Sequence, residues 1–590
     1  MIQTKIGQVV SCAPECIVIE LDSIKIFEEN KASLQIGKYL QIAQGNNDFT
    51  LAIIRNIKGL TNNSDDHSID WTFTIECQAI GNINSEGVFS LGSILLPVPT
   101  EPVFLPDENT MRALFAENAK YCFKLGNLSY NKQIPLFIDG NGFFSKHIGI
   151  VGSTGSGKSC TVAKILQSVV GINNKANSLL GKQNNSHIVM FDIHDEYSNA
   201  FSLDETQSFT LNRLDVDSLQ LPYWLMNSEE LESMFIESNE QNSHNQVSQF
   251  KIAVILDKEK HNPELKNITY DTPVFFSITE VYRYIENMNR EVIGRLDGEN
   301  KPKLSDGTLV NDRKDLYFDK IYEFVSSSTA KDTKATNGPF NGEFNRFVSR
   351  LETRLNDKRL RFLLHPQKKD GSTYCTEDFH SIMMQFIGYI NKANITVIDL
   401  SGIPFEVLSI SVSLISRLIF DFCFHYSKLR HSIGLQNDIP LMIVCEEAHN
   451  YVPQKDDASY RASKESIERI AKEGRKYGIS LMVVSQRPSE VSSTIYAQCN
   501  NFIALRLTNS DDQSYIKKLL PDNTNGITDI LPNLSPGQAI VVGDATIVPT
   551  IVQMEKPNPE PHSQSVKFQN EWNELWRSIT FEDVINRWRK

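Results

Sequence analysis

The sequence predicts an α/β protein built around a mostly parallel sheet, with a small β-barrel before the sheet and a helical subdomain inserted into it. Short apolar runs alternate with helical stretches over residues 135–221 and again over 391–555, the pattern of parallel strands joined by crossover helices. Residues 1–100 hold short β-rich runs separated by Gly, Asn and Asp, which is typical of a barrel. Residues 222–390 are polar with helical spacing and no strand–loop–helix pattern, so we expect the helical insertion there.

Two further segments complete the predicted order of domains. The Pro-bearing run LPVPTEPVFLPDE predicts a linker over residues 101–134. Residues 556–590 are polar, and we expect a tail that packs on another surface such as a neighbouring subunit. This tail carries three tryptophans: Trp572, Trp576 and Trp588.

The composition limits the class of protein. Of the 590 residues, 40% are hydrophobic and 9% are aromatic, so the chain can bury a large core and is not globally disordered. The net charge of −13 excludes a generally basic nucleic-acid-binding surface but leaves room for a local basic channel. Nine scattered cysteines without a metal-site pattern predict free thiols in a reducing cytoplasm.

The sequence also bears on membranes and targeting. The N-terminus lacks a charged segment followed by an apolar one, so we expect no signal peptide. The most apolar long run, Phe405–Phe424, is interrupted by several serines, Arg417 and Asp421, which favours a buried core helix over a membrane span. We therefore predict a cytoplasmic protein that does not bind membranes.

The strongest motif is GSTGSGKS, which lies between a predicted strand and a predicted helix. Its glycines let backbone N–H groups surround phosphate oxygens, Lys158 neutralises β- and γ-phosphate charge, and Ser159 offers its hydroxyl to Mg²⁺. The spacing G-x-x-x-x-G-K-S in this context predicts a nucleotide site. The residues expected to bind the nucleotide are Gly152, Ser153, Thr154, Gly155, Ser156, Gly157, Lys158, Ser159 and Cys160.

Two adjacent carboxylates, Glu446 and Glu447, follow a second predicted strand, Leu441–Cys445. Because neighbouring side chains at a strand end point in different directions, each acid can have its own task. We assign Glu446 to Mg²⁺ and Glu447 to the attacking water. The alternative is a pair of solvated acids in a loop.

Polar residues follow two other predicted strands. Asp192 and Glu196 are expected at the edge of the sheet where ligands bind in such folds, and either can orient water or Mg²⁺; the alternative is a solvated turn. Gln486 is expected to sense the γ-phosphate through a hydrogen bond, and a buried structural amide is the alternative for it.

One arginine near a predicted helix end is a candidate for catalysis across a subunit boundary. An Arg that a neighbouring subunit supplies to the transition state raises the rate on the order of 10³-fold or more. Arg475, in IAKEGRKYG, is the candidate. A surface charge paired with Glu473 is the alternative.

A row of basic residues recurs at intervals of three to four and is predicted to share one helix face. Such a row suits contact with DNA phosphates, and the alternative is a solvated face that Glu352 and Asp357 balance. The row consists of Arg346, Arg350, Arg354, Lys358 and Arg361.

The order of these motifs resembles the HerA family of hexameric ATPases, relatives of the FtsK translocases. EEAHNYVP together with EGRKYGISLMVVSQRPSEV is highly specific, and the similarity spans residues 1 to about 555, with the early β-rich region similar to the family's N-terminal barrel. The other runs that carry the resemblance are GSTGSGKS, FDIHDEY, LPYWLMNSEEL, RLNDKRLRFLL, VIDLSGIP and CNNFIALRLTN.

This resemblance implies a RecA-like P-loop NTPase core, ATP with Mg²⁺ at subunit boundaries, a homo-hexameric ring and double-stranded DNA in its pore. It also implies that Lys158 and Ser159 bind phosphate and Mg²⁺, and that Glu447 is the catalytic carboxylate. Arg475 matches a catalytic Arg of the family.

Two positions depart from the family pattern. Lys146 stands where relatives often carry an Arg that reaches a neighbour's nucleotide, and Lys lacks the planar fork of Arg. Glu446 stands where many relatives have Asp, and its longer side chain still reaches Mg²⁺ through water.

The resemblance also implies a partner. Family members work with a nuclease in DNA-end resection or with sirtuin-like or nuclease effectors in anti-phage defence, and we expect such an effector on the N-terminal barrel. The sequence thus predicts an ATP-driven motor on double-stranded DNA. One alternative is an ATP-regulated scaffold that activates an effector without translocation, and another is a secretion or conjugation ATPase.

Overall fold

The computed structural model of the chain describes most of the sequence, and every structural statement below concerns these parts. They are residues 4–45, 48–63, 69–92, 95–115, 121–172, 185–202, 211–237, 243–455, 460–520, 525–563 and 566–589.

The N-terminal sheet closes on itself as a barrel, as predicted. Its order is β2-β1-β7-β3-β4-β5-β6, and β2 also pairs with β5 to close the ring. A separate apolar core that includes Ile19, Leu40 and Ile54 fills the interior. The strands are β1 (Lys5–Ala13), β2 (Cys16–Leu21), β3 (Tyr39–Gln44), β4 (Asp48–Asn63), β5 (Ile69–Ile83), β6 (Phe89–Leu91) and β7 (Pro102–Phe104).

The predicted linker over residues 101–134 is wrong. Strand β7 pairs with β1 and β3 inside the barrel, and a helix, Glu108–Phe115, follows it. Two further strands, β8 (Cys122–Leu128) and β9 (Asn131–Asp139), belong to the large sheet. The prediction failed because it took the prolines as a sign of a linker. A residue before proline favours extended backbone, and extended backbone occurs at the ends of strands as well as in linkers.

The large sheet contains 11 strands among the described residues, in the order β12-β15-β11-β16-β17-β10-β18-β19-β20-β8-β9. Neighbours from β12 to β18 run parallel, and those from β18 to β9 run antiparallel. The remaining strands are β10 (His147–Val151), β11 (His187–Asp192), β12 (Leu211–Leu214), β13 (Val292–Gly294), β14 (Ala335–Asn337), β15 (Ile395–Asp399), β16 (Leu441–Cys445), β17 (Ile479–Ser485), β18 (Cys499–Leu505), β19 (Gln538–Gly543) and β20 (Thr550–Met554).

The α-helices of the described residues belong to the barrel region, the large sheet, the block between β12 and β15, and the C-terminal segment. They are α1 (Ile24–Asn30), α2 (Glu108–Phe115), α3 (Gly140–Phe144), α4 (Lys158–Val170), α5 (Ser228–Phe235), α6 (Ser243–His261), α7 (Ile278–Arg290), α8 (Arg313–Leu316), α9 (Asn345–Leu355), α10 (Arg361–Leu364), α11 (Phe379–Phe386), α12 (Phe405–Ser432), α13 (Arg461–Glu473), α14 (Ser493–Tyr496), α15 (Ser510–Leu519), α16 (Asn525–Thr528), α17 (Phe568–Trp572) and α18 (Phe581–Arg589).

A mainly helical block interrupts the sheet, as the sequence predicted. Helices α5 to α11 and the antiparallel pair β13–β14 lie in chain order between β12 and β15. The predicted continuous basic helix face is wrong, however, because α9 ends at Leu355 and Asp357 caps a separate short turn by accepting a hydrogen bond from Arg359 N. Arg350 is also largely buried, 2.7 Å from Glu237. The row is therefore not one surface.

The longest helix, α12, is packed inside the protein. Its stretch Val407–Ser432 is long and apolar enough to cross a membrane, with a mean hydropathy of 1.8 in its most apolar window, yet 78% of that window is buried. Arg417, one of the polar residues that interrupt this run, contacts Glu230 of α5 at 2.8 Å. Burial by protein on most sides identifies α12 as a core helix.

The C-terminal segment has two parts. Residues 556–563 lie against the core, where Asn558 N donates to Gln167 of α4 at 3.0 Å. Beyond them, Trp572 of α17, Trp576 between the helices and Trp588 of α18 are exposed by 74%, 99% and 86%. Single-chain contacts therefore do not cover the apolar surface of this arm, residues 566–589.

Candidate nucleotide-binding site

The GSTGSGKS loop joins the end of β10 to the start of α4, at the carboxyl edge of the parallel strands. Gly155 and Gly157 adopt φ values of 72° and 103°, a backbone conformation that favours glycine. A Cβ at Gly152 would lie 2.5 Å from Ser156 Oγ, so glycine is required there too. The loop can therefore present consecutive N–H groups at the N-terminus of α4, an arrangement that binds phosphate.

Residues far along the chain brace this loop. Ser153 N donates to the Arg506 carbonyl at 2.8 Å, and Ser153 Oγ lies 3.1 Å from Thr508 Oγ1. Gly537 N donates to the Ser156 carbonyl at 2.9 Å. Sequence reasoning missed these bracing residues, because nothing in their local pattern differs from an ordinary loop.

Lys158 and Glu447 face each other inside the site. The Lys158 Nζ lies 3.9 Å from Glu447 Oε1, and both side chains are buried. Glu447 adopts φ 45° and ψ 47°, the left-handed region, which costs a non-glycine residue on the order of 1 kcal/mol or more. The fold therefore holds this carboxylate in a strained conformation beside the lysine of the loop.

Glu446 is fully enclosed next to Glu447. Its Oε2 is buried without a hydrogen-bond partner among the described residues, and burial, followed by the charge of Glu447, raises the pKa of Glu446 well above its usual value. A buried carboxylate of this kind needs a cation. Oxygen donors are the ligands that Mg²⁺ takes in proteins, so the residues present fit a magnesium ion held near Glu446.

The loop that follows β11 turns Glu196 toward the phosphate loop. The Ser159 hydroxyl donates to Glu196 Oε2 at 2.7 Å. The carboxylate of Asp192 instead accepts backbone N–H groups from His194, Glu196 and Tyr197 at 3.2, 3.2 and 2.9 Å. Burial raises the pKa of Asp192 to about 6. In this structure Asp192 therefore organises the loop, and Glu196 is the acid that reaches the loop of the nucleotide site.

Gln486 lies where a γ-phosphate sensor is expected. Its Oε1 accepts a hydrogen bond from Thr154 Oγ1 at 2.5 Å, and its backbone N–H lies 3.4 Å from Glu447 Oε2. His449, which the sequence analysis did not single out, places Nδ1 at 3.3 Å from the same Glu447 oxygen. Burial lowers the pKa of His449, and the hydrogen-bond partner of its Nδ1 is Ser485 Oγ at 3.1 Å.

The first turn of α4 also meets the C-terminal segment. Burial, followed by the charge of Glu560, raises the pKa of the Cys160 thiol, so this cysteine is a neutral side chain facing residues 556–563. From the same segment, His562 N donates to the Glu196 carbonyl at 2.8 Å. The C-terminal segment thus supports the loop that carries Glu196.

Two predicted site residues, Lys146 and Arg475, lie at the opposite edge of the sheet. Lys146 precedes β10 and Arg475 lies just before β17, so both stand at the amino ends of strands whose carboxyl ends form the nucleotide site. Lys146 Nζ is 3.4 Å from Asp544, and the exposed Arg475 donates to Asn500 Oδ1 at 3.2 Å. Five residues of β10 span about 17 Å, which separates both cations from their own phosphate loop.

His147 fixes this opposite edge. Its Nδ1 accepts the Leu481 N–H at 3.0 Å, so its Nε2 carries the proton and donates to the Ala471 carbonyl at 3.0 Å. Burial lowers the pKa of His147 to about 4. The neutral imidazole therefore ties the start of β10 to the end of the helix that leads to Arg475.

Comparison with known proteins identifies the family of this chain. The family model described as the central domain of the helicase HerA matches residues 123–419. The DNA double-strand break repair helicase HerA of Sulfolobus acidocaldarius is 24% identical over 507 residues, 84% of this chain and 81% of the relative. The same-named protein of Pyrococcus furiosus is 22% identical over 563 residues, 89% and 88% of the two chains.

A probable helicase of Methanocaldococcus jannaschii is 23% identical over 479 residues, covering 81% of this chain and 74% of the relative. Among solved structures, the plasmid coupling protein TrwB with a non-hydrolysable ATP analogue matches at a TM-score of 0.43 and 11% identity, over 76% of this chain and 92% of that one. The family model spans half of the sequence and includes the phosphate loop, Glu196 and the helical block. The chain therefore belongs to the HerA helicase family and carries an ATP-hydrolysing phosphate-loop core.

Proposed function

We propose that this protein is an ATP-driven motor that moves on double-stranded DNA as a ring of six copies and works with a separate effector subunit. The observation that carries the proposal is the division of the site between two edges of one sheet. The phosphate loop and Glu447 lie at one edge, whereas Arg475 and Lys146 lie at the other.

The chemistry at the carboxyl edge follows from the contacts within one chain. Lys158 and the N–H groups of the loop bind the phosphates, and Ser159, Glu196 and Glu446 are the residues that would hold Mg²⁺. Mg²⁺, when bound, supplies positive charge that offsets the charge of the phosphate oxygens. Glu447 orients the attacking water and draws its proton, while the backbone N–H of Gln486 donates to that carboxylate and the ring of His449 lies beside it.

Gln486 and Asp192 act on this site in different ways. Gln486 already contacts Thr154 of the loop, so a hydrogen bond to the γ-phosphate needs only a rotation of its amide. Asp192 is a positioning residue, because its carboxylate holds the backbone of the loop that presents Glu196. Cys160 lies in the first turn of α4, and its neutral thiol contributes no charge to the site.

A second copy completes the site. In a ring, the amino edge of one chain faces the carboxyl edge of the next, so Arg475, aided by Lys146, can reach the transition-state charge of a neighbour's nucleotide. The exposed apolar arm, residues 566–589, also needs a surface to cover it. Both features support a closed homo-oligomer.

Two observations support the proposed DNA substrate and effector: membership of the family, and the exposed apolar side chains of the barrel. Relatives of known name are DNA double-strand break repair helicases. The β4–β5 hairpin of the barrel exposes Leu60 and Trp71 by 56% and 47%, which suits docking of a nuclease or sirtuin-like effector in anti-phage defence or DNA processing. The cell compartment that fits this role is the cytoplasm.

The test measures ATP hydrolysis with and without linear duplex DNA, together with displacement of a protein block from that DNA. We expect duplex to stimulate hydrolysis severalfold and the block to be removed only when ATP is hydrolysed. Lys158→Ala removes the phosphate-binding cation and should abolish both readouts, whereas Lys164→Ala, on the same helix but paired with Glu555, should preserve both. Hydrolysis that is indifferent to DNA, without block removal, contradicts the motor.

The barrel also favours a second candidate, an ATP-regulated scaffold, because a closed module with its own core can dock a partner without movement of the ring. The Lys158→Ala variant separates the two functions. Full activation of a co-purified effector by this variant indicates a scaffold, and loss of activation indicates a motor.

A further inference from the structure

A cluster of ligand-type side chains lies in the helical block, away from the nucleotide site. Asp257 and His261 are on α6, four positions apart, so their side chains share one face of the helix. Glu280 lies in the first turn of α7. One ligand atom from each residue lies within 4.8 Å of the other two. The cluster therefore joins the end of one helix to the start of the next.

The spacing within the cluster fits a metal ion. His261 Nε2 lies 3.3 Å from Glu280 Oε2 and 3.7 Å from Asp257 Oδ1. Zinc binds nitrogen and carboxylate oxygen at about 2.0–2.2 Å, which places tetrahedral ligand atoms roughly 3.3–3.6 Å apart. The two distances to His261 are close to that spacing, and all three ligand atoms lie within 4.8 Å of one another.

Asp257 provides an independent sign of a missing cation. Its side chain is fully buried; Oδ1 accepts the Ser277 N–H at 2.6 Å, and Oδ2 has no hydrogen-bond donor among the described residues. The Asp257 carboxyl group also lies within hydrogen-bond reach of the Glu280 carboxyl group. The adjacent Lys258 does not serve Asp257, because its Nζ donates to the Tyr270 and Thr272 carbonyls at 2.6 and 2.7 Å. A buried carboxylate oxygen left in this way is costly unless a cation or a proton reaches it.

We propose that Asp257, His261 and Glu280 bind a zinc-type divalent metal ion that fastens α6 to α7. An imidazole with two carboxylates suits zinc better than Mg²⁺ or Ca²⁺. His261 and Glu280 are partly exposed, with 28% and 21% of their side chains accessible, so the ion can enter from solvent and keep water in its fourth position. The ion bridges residues 262–277, the segment that connects the two helices, and restricts its motion.

One side chain competes with the metal. The Lys260 Nζ lies 2.7 Å from Glu280 Oε2, but 42% of its side chain is exposed and it can turn to solvent. Removal of Lys260 should therefore strengthen metal binding.

The experiment measures zinc retained by the full chain. The protein is stripped with a chelator, equilibrated with low-micromolar ZnCl₂ and desalted, and its zinc is counted by elemental mass spectrometry. We expect one more zinc ion per chain in the wild type than in His261→Ala, whose affinity should fall by at least ~10-fold. His244→Ala is the matched control, because His244 lies exposed on the same helix.

Further readouts keep the test decisive. All variants have the same cysteines, so any zinc that cysteines bind contributes equally to each zinc content and does not affect the difference between variants. Zinc should raise the thermal midpoint of the wild type but not that of His261→Ala, and Lys260→Met should bind zinc more tightly than the wild type. Equal zinc in His261→Ala and wild type, or a wild type that retains none, overturns the proposal. Neither outcome bears on ATP hydrolysis, which depends on other residues.

Discussion

The two edges of the central sheet are built in different ways. At the carboxyl edge, Lys158, Glu446 and Glu447 are buried and held by contacts within the chain. At the amino edge, Arg475 is exposed and makes one hydrogen bond to Asn500, and Lys146 makes one ion pair with Asp544. The carboxyl edge holds most of the groups that a nucleotide site needs. The amino edge holds two cations but no nucleotide-binding group of its own.

This difference fits the proposed division of catalysis between neighbouring chains. Groups that must be held rigidly before the nucleotide arrives are buried, because burial and internal hydrogen bonds fix their positions. A group that serves a neighbour must stay accessible until the neighbour docks. Exposed surface pairs of this kind contribute little to stability, so Arg475 is free to exchange Asn500 for a phosphate. The predictions below test this division, beginning with the largest effect.

Glu447→Gln should reduce the rate of ATP hydrolysis about 10⁴-fold, because the amide cannot take the proton of the attacking water. ATP binding should stay within severalfold of the wild type, since Lys158 and the loop are untouched. Single-turnover hydrolysis and binding of a fluorescent ATP analogue measure the two effects. Glu490→Gln, an exposed acid paired with Arg487, is the control, and hydrolysis retained by Glu447→Gln would reject the role of this carboxylate.

Arg475→Ala should reduce hydrolysis about 10³-fold while leaving each chain able to bind ATP. A mixture of this variant with Glu447→Gln distinguishes help from a neighbour from help within the chain. Wherever a Glu447→Gln chain offers its Arg475 to the intact loop of an Arg475→Ala chain, the site is complete, so the mixture should be more active than either variant alone. Lys476→Ala serves as the control, and a mixture as inactive as its components contradicts the shared site.

Acid should lower the stability of the folded chain through His147, which lies at the amino edge of the sheet. The folded chain lowers the pKa of His147 from 6.5 to about 4, so between these values only the unfolded chain takes up the proton. Stability therefore falls as the pH drops through this window, by up to about 3 kcal/mol from this group. The thermal midpoint of His147→Gln should fall less steeply from pH 6.5 to 4 than that of the wild type. His431→Gln, an exposed histidine, should keep the wild-type slope.

The parts of the fold that depend on local pattern were predictable. The phosphate loop has its glycines, lysine and serine at fixed spacing beside a strand, so Gly152 to Ser159 were identified from the chain alone. The barrel and the helical block follow from the periods of their apolar residues. Strands β8 and β9 were missed because β20, which joins β8 to the sheet, lies more than four hundred residues away in the sequence, and no local signal reports such pairing.

The site shows the same limit on a smaller scale. The sequence placed Asp192 and Glu196 in one loop but could not say which acid faces the phosphate loop, because this depends on the backbone turn at Asp195, with φ of 53°. It placed Arg475 near a helix end but not at a particular edge of the sheet. His449 was missed because a histidine two positions after a catalytic acid has no pattern of its own. The direction in which a side chain points and the distant residues that it contacts depend on the tertiary structure, not on the local sequence.

The antiparallel end of the large sheet affects how the molecule can be divided. Strands β8 and β9 come before the phosphate loop in the chain, yet β8 pairs with β20, which comes after every other core strand. A fragment that begins at residue 135 would cut β9 and leave β20 as an open edge, which favours aggregation. A fragment that ends at residue 555 would remove His562, whose N–H supports the Glu196 loop. A nucleotide-binding fragment therefore needs at least residues 122–562, and removal of the barrel would also uncover the main core where Tyr39, Leu51 and Ile53 pack against it.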